Sequence, residues 1–137
     1  MATDRELIEE TICQFAWGYD TANDDLMSDV FTDDAVLTIA ITGADPFPPF
    51  EGKEGLMGLF KGALAEQTDQ RRHVVSNFIF ESEGPSEAKV VSYLTLIATA
   101  DGATSLLSAG VYHDELVKDG NGKWRITKRH IALDSAY

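Results

Sequence analysis

Arg71-Arg72-His73-Val74-Val75-Ser76-Asn77-Phe78-Ile79-Phe80 is the stretch that decides the fold. β-Branched and aromatic residues dominate it, as they do in strands, and strand side chains alternate between two faces. Strict alternation puts Val74, Phe78 and Phe80 on one side with Ser76, and Arg71, His73, Val75, Asn77 and Ile79 on the other. A strand this apolar on both faces is covered on both sides or lines an enclosed space. Its polar-studded side holds one imidazole, the group best suited to moving protons near neutral pH. His73 is therefore the expected chemical centre.

Beyond this strand nearly everything reads as strand: 86–100, 104–117 and 123–134. The separators are Glu83-Gly84-Pro85, Asp101-Gly102 and Asp119-Gly120-Asn121-Gly122, and Asp-Gly is a two-residue hairpin signal. Before it, Leu56, Leu59, Phe60, Ala63 and Leu64 recur at helical spacing over 53–67. Gly55, Gly58 and Gly62 each cost that helix ~1 kcal/mol relative to Ala, which predicts close packing against a sheet.

Further back, Ala35, Leu37, Ile39 and Ile41 share one face of a strand over 35–42, preceded by turn-forming Thr32-Asp33-Asp34. The loop 43–50, with Pro46, Pro48 and Pro49 around Phe47 and Phe50, reads either as the rim of an apolar cavity or as a stiff surface connection. At the start, Thr3 or Asp4 caps a helix whose inward face is Ile8, Ile12, Phe15, Ala16 and Tyr19. Asp20, about 100° further round, lies at the edge of that face. Asn23 or Asp24 caps a short second helix ending near Phe31.

Helices first, then a long meander with one helix interposed, is an α+β pattern. The expectation is one domain over 1–137, a curved antiparallel sheet with three helices that together enclose a cone-shaped pocket. Eleven basic against 23 acidic residues give a net charge of −12, which disfavours nucleic acid and anionic membranes as partners. The single Cys13 excludes an intrachain disulfide and fits a cytoplasmic location. No run is apolar enough to span a membrane. No His, Cys, Asp or Glu pair has zinc-ligand spacing, and no Gly-rich loop follows a strand as a nucleotide site requires. Neither metal nor cofactor is expected.

Taken in order, six segments resemble the SnoaL-like branch of the NTF2-like superfamily. They are Tyr19-Asp20, Phe31-Thr32-Asp33-Asp34-Ala35, Gly52-Lys53-Glu54-Gly55, Arg72-His73-Val74-Val75-Ser76-Asn77, Gly110-Val111-Tyr112-His113-Asp114, and Gly122-Lys123-Trp124-Arg125-Ile126 with Arg129. The resemblance implies the NTF2-like cone. Within that superfamily the chain is similar to scytalone dehydratases and hexachlorocyclohexane dehydrochlorinases, which use an Asp at the end of the first helix and a His on the strand after the third. Those positions match Asp20 and His73, and Tyr19 matches a dehydratase Tyr. His113 and His130 are candidates for the second pocket His of the dehydratases. Ring-hydroxylating dioxygenase small subunits share the fold as non-catalytic partners. The resemblance also implies a homodimer formed through the outer face of the sheet, with Thr95, Ile97, Leu106 and Leu107 as contributors.

The resemblance, taken with the residue types, implies a cofactor-independent lyase or isomerase (dehydratase, dehydrochlorinase, cyclase or double-bond isomerase) acting on a small apolar substrate. His73 would take a proton, Asp20 would orient and balance it, and Tyr19 would assist a leaving group or oxyanion. Trp17, Phe50, Asn77, Tyr93 and Tyr112 are candidate substrate contacts. Arg129 and Asp134 are expected to pair on the last strand. The alternative is a ligand-binding or structural subunit, since one fold hosts both.

Overall fold

In the computed structural model, which describes residues 1–137, Asp101 and Gly102 both take positive φ, 51° and 76°. This two-residue turn matches the twist of the strands it joins, β4 (Glu87–Ala100) and β5 (Ala103–Lys118). β3 (Gln70–Glu83) and β6 (Trp124–Leu133) complete the meander. β1 (Phe31–Ile41) and the two-residue β2 (Phe50–Glu51) extend the sheet to the order β2-β1-β6-β5-β4-β3. Neighbours are antiparallel except β1 and β6, which run parallel. The sheet is thus mixed at one pairing. Thr32-Asp33-Asp34 is not a turn but an irregular opening to β1, whose register shifts between Phe31 and Val36.

Alternation holds on β4, where Val90, Ser92, Leu94, Leu96 and Ala98 are buried toward the helices. On β3 it breaks at Asn77, which takes φ 58°. Ser76 pairs with Tyr93 but Ile79 with Val91, so one extra residue is inserted as a β-bulge. The insertion reverses parity. Phe78 and Phe80 join His73 and Val75 on the inner side, packed against the core, while Val74 and Ile79 are exposed at 44% and 61%. The strict alternation expected over 71–80 is corrected accordingly.

Three helices, α1 (Asp4–Asp20), α2 (Asp24–Ser28) and α3 (Lys53–Glu66), cover the concave side. Thr3 caps α1, its hydroxyl accepting from the Glu6 N–H, and Asn23 caps α2 by accepting from the Leu26 N–H. Ile8, Ile12, Phe15 and Tyr19 are the buried stripe of α1. The helix lies along edge strand β3 in the opposite direction: Arg5 ion-pairs with Glu83 over the Phe80 ring, and the far end of the helix meets Gln70 and His73. Gly55, Gly58 and Gly62 do not meet the sheet closely, because a methyl at any of them would touch nothing within 4 Å. The close approaches are elsewhere. At Gly18 a Cβ would lie 2.7 Å from the Met27 nitrogen, and at Gly110 it would overlap the Ala132 carbonyl. No helix is long and apolar enough to cross a membrane.

Candidate active site

An edge strand leaves half its backbone groups without a strand partner. On β3 one of these is met by a side chain: the His73 N–H donates to Asp20 Oδ2 at 2.9 Å. Asp20 Oδ1 lies 2.7 Å from His73 Nδ1. The carboxylate therefore bridges the backbone and ring of one residue, which fixes both its position and its rotation. A carboxylate accepts only, so the proton of a neutral ring sits on Nδ1 and leaves Nε2 as the free base. Both side chains are 8% exposed. Asp20 can reach β3 because the last turn of α1 is tied there, its carbonyl accepting from Gln70 Nε2 at 2.8 Å.

His73 opens on an apolar cavity of about 140 Å³ between helices and sheet. Phe15 and Tyr19 of α1 and Leu59, Phe60 and Ala63 of α3 line one side, and Tyr19 packs against the imidazole at 4.8 Å between centroids. Ile39, Leu94, Tyr112, Ile131 and Leu133 line the sheet side, and Tyr137 stands at the wall beyond β6. The Tyr19 hydroxyl donates to Gln67 Oε1 at 3.1 Å, and burial raises its pKa. Tyr112 is 1% exposed, with the Arg129 guanidinium 3.9 Å from its ring centroid, and burial raises its pKa strongly. A larger hollow between α2 and α3 is open and charged, lined by Asp24, Asp25 and Lys61 among others, and does not touch His73. No three His, Cys, Asp or Glu side chains cluster in a way that could hold a metal ion.

Of the residues singled out from sequence, the fold brings Tyr19, Asp20, His73 and Tyr112 together. Four others do not line the cavity. Trp17, about 200° round α1 from Phe15, is 65% exposed. Tyr93 is on the outward parity of β4 and is 54% exposed. Asn77 is the exposed bulge residue. Phe50 pairs with Leu37 at the far edge of the sheet and packs on the margin of the core, so the proline loop does not rim the cavity. His113 and His130 face each other across β5 and β6 on the outer face, 5.8 Å apart, and neither lines the cavity. Arg129 pairs not with exposed Asp134 but with Asp114, directly opposite it in register, at 2.7 and 3.0 Å and wholly buried. Burial works against that charge, and Asp114 outweighs it, so the Arg129 pKa is raised. Arg72 is exposed, while Arg71 is held by Asp69 at 3.0 Å beside the Tyr137 ring.

The cavity residues missed from sequence are mostly aliphatic. Ile39 and Leu59 had been visible as members of apolar stripes, but periodicity does not separate a cavity wall from a filled core.

An open cone of sheet and helices, with a buried carboxylate–imidazole pair facing an apolar cavity, defines a class of small α+β domain with a ligand-sized interior. A family model described as a SnoaL-like domain matches residues 1–130. The chain belongs to the SnoaL-like family, and its fold is NTF2-like. Among solved structures it is similar to a protein of unknown function with a cystatin-like fold from Nostoc punctiforme. That match has 26% identity and TM-score 0.80 and covers 98% of this chain and 93% of the other. It is similar in fold to a candidate scytalone dehydratase from Novosphingobium aromaticivorans (20% identity, TM-score 0.79, 95% of this chain and 83% of that one). The β subunit of a candidate aromatic-ring-hydroxylating dioxygenase from the same organism is also similar in fold (18%, 0.79, 95% and 88%). No curated protein matches the sequence.

Proposed function

We propose that the protein is a cofactor-independent lyase or isomerase acting on a small, largely apolar substrate. The observation that carries this reading is the 2.7 Å contact between Asp20 Oδ1 and His73 Nδ1 at the wall of an apolar cavity. His73 Nε2 removes a proton from carbon, and Asp20 balances the imidazolium that forms. The apolar lining excludes water, which strengthens each electrostatic contact inside. Dehydration, elimination, double-bond migration and cyclisation share this first step. The likeness in fold to a candidate scytalone dehydratase agrees with the reading. The test is a screen of cyclic carbonyl and halogenated ring compounds, followed by His73→Ala on any substrate found. A loss of at least ~100-fold is expected for a general base, and turnover at the wild-type rate would overturn the assignment.

A second reading, a non-catalytic partner subunit, is favoured by two observations. Val74, Ile79, Tyr93 and Leu106 are large apolar side chains exposed by 44–67% on the sheet strands, and the fold matches a dioxygenase β subunit. Under the first reading the same face joins two copies, with Thr95 and Ile97 beside Tyr93 on the outward parity of β4. Sedimentation at micromolar concentration separates the two: a homodimer fits the enzyme reading, and a monomer that assembles only with a larger subunit fits the other. A cytoplasmic setting is part of the first reading, resting on the lone thiol of Cys13.

A further inference from the structure

If His73 takes a proton from carbon, as proposed above, some group must meet the negative charge left on the substrate. Three phenols line the cavity: Tyr19, Tyr112 and Tyr137. The proton of Tyr19 is engaged by Gln67 Oε1, and the Gln67 amide is itself anchored to the Asp69 carbonyl at 3.0 Å. Tyr137 is 59% exposed, with its ring beside the Arg71 guanidinium.

Tyr112 differs from both. Its side chain is 1% exposed, and its hydroxyl makes no hydrogen bond within the protein. The buried polar atoms that lack both a partner and any free surface are Ser92 Oγ and Arg129 Nη1. The Tyr112 hydroxyl is not among them, so it keeps open surface, and the space beside that residue is the cavity. A buried hydroxyl ordinarily finds a partner. Here the partner position lies in the space where a ligand would sit. The Arg129 cation under the ring, 3.9 Å from its centroid, draws on the π-face and makes the O–H a stronger donor. Arg129 is itself held in place by Asp114 on the neighbouring strand.

We infer that Tyr112, rather than Tyr19, donates the hydrogen bond to the oxygen on which charge develops, and that the substrate is an uncharged ring bearing a carbonyl group rather than a halogenated hydrocarbon. In the step, His73 Nε2 takes a proton from the carbon next to the carbonyl. The C–H pair becomes the new C=C bond, and the carbonyl π pair moves to oxygen, which accepts from Tyr112 without taking its proton. Where the ring carries a β,γ double bond the anion is a dienolate, and the imidazolium returns the proton at the γ-carbon as the double bond moves into conjugation. Where it carries a β-hydroxyl, the imidazolium gives the proton to that group, which leaves as water as the C=C–O⁻ collapses to an enone. Elimination of halide from a hydrocarbon places no charge on oxygen and has no use for this phenol. The size also selects. A dry apolar cavity of ~150 Å³ accepts benzene, and the cavity here is about 140 Å³, room for one six-membered ring.

The test is exchange of the α-hydrogens of cyclohexanone in D₂O, followed by NMR, with wild type, His73→Ala, Tyr112→Phe and Tyr19→Phe. Chloride release from chlorocyclohexane is measured alongside. Wild type should speed exchange above buffer and release no chloride. Tyr112→Phe should lower exchange ~100-fold, as for loss of one oxyanion donor, and at least ~10-fold more than Tyr19→Phe does. Loss of exchange in His73→Ala with Tyr112→Phe at the wild-type rate, or a larger loss in Tyr19→Phe, overturns the donor assignment and leaves the base in place. Exchange that survives His73→Ala overturns the base. Chloride release without exchange overturns the substrate class. Because Tyr112 is buried, binding of 4-nitrophenol, whose anion alone is yellow, gives an independent readout. Tyr112→Phe should weaken binding of the anion about 10-fold to 100-fold, the range for a hydrogen bond to a charged group. Unchanged binding of the anion counts against the donor role.

Discussion

Replacing Asp20 by asparagine keeps the size of the side chain and changes which of its atoms can accept. In the native protein both carboxylate oxygens accept, Oδ2 from the His73 backbone N–H at 2.9 Å and Oδ1 opposite Nδ1 at 2.7 Å. A backbone N–H can only donate, so the amide oxygen must take the Oδ2 position. The amide NH₂ then faces Nδ1. Two N–H groups cannot bond to each other, so the imidazole must carry its proton on Nε2 and accept at Nδ1. The nitrogen needed as base is then already protonated. In the serine-protease triad a wrong tautomer of this kind lowers kcat about 10⁴-fold, and a similar loss is expected here. Stability should fall far less. Both hydrogen bonds survive, but each loses the assistance of a charge, which amounts to about 1–3 kcal/mol for the pair in a site where both side chains are only 8% exposed. Two-dimensional ¹H–¹⁵N NMR of the imidazole reads the tautomer directly, and urea unfolding reads the stability. A proton still on Nδ1 in Asp20→Asn would refute the reasoning, as would activity within ~10-fold of wild type.

Gly110→Ala drives a methyl into the Ala132 carbonyl across β5 and β6, so urea unfolding should show a loss of about 3 kcal/mol or more. Gly62→Ala, where nothing lies within 4 Å, should instead stabilise α3 by up to ~1 kcal/mol. Asp114→Ala strands the wholly buried Arg129 charge and should cost about 3–5 kcal/mol, most of it recovered when Arg129→Met is added. At alkaline pH the sign follows from the raised Tyr112 pKa. The unfolded chain releases that proton first, so stability is full below tyrosine's ordinary pKa of ~10 and falls above it by up to ~1.4 kcal/mol per pH unit. Tyr112→Phe should flatten that part of the curve in pH-dependent thermal unfolding.

Local chemistry accounts for the parts that were legible without coordinates. Thr3 and Asn23 cap their helices because a side-chain oxygen satisfies an orphan N–H wherever the chain lies. Asp101-Gly102 turns because its two positive-φ positions suit those residues, and the stripe Ile8, Ile12, Phe15, Tyr19 follows from 3.6 residues per turn. Asp20 and His73 were legible as candidates because an acid at a helix end and an imidazole on an apolar strand both conflict with local packing preferences. The order of the meander was legible, but the register between its strands was not. The bulge at Asn77 adds one residue to β3, and period-2 reasoning then assigns Phe78, Ile79 and Phe80 to the wrong faces. Tyr93 and Tyr112 are both aromatic residues on meander strands, yet opposite parity puts one outside and one in the cavity. Arg129 finds Asp114 rather than Asp134 because antiparallel register sets residues distant in sequence side by side.

From its sequence alone the three helices, the hairpin turns and the long strands were legible, along with the two residues suited to proton transfer, since each depends on neighbours a few positions away. The opening of β1 at Phe31 and the two-residue β2 were not. Only the tertiary structure decided that an edge strand's spare N–H would be met by Asp20, that Tyr19 would be engaged by Gln67 while Tyr112 stayed open, and that the space between them would remain unfilled. Those outcomes depend on how elements far apart in the chain pack, and packing is settled by volumes and registers that no local pattern encodes.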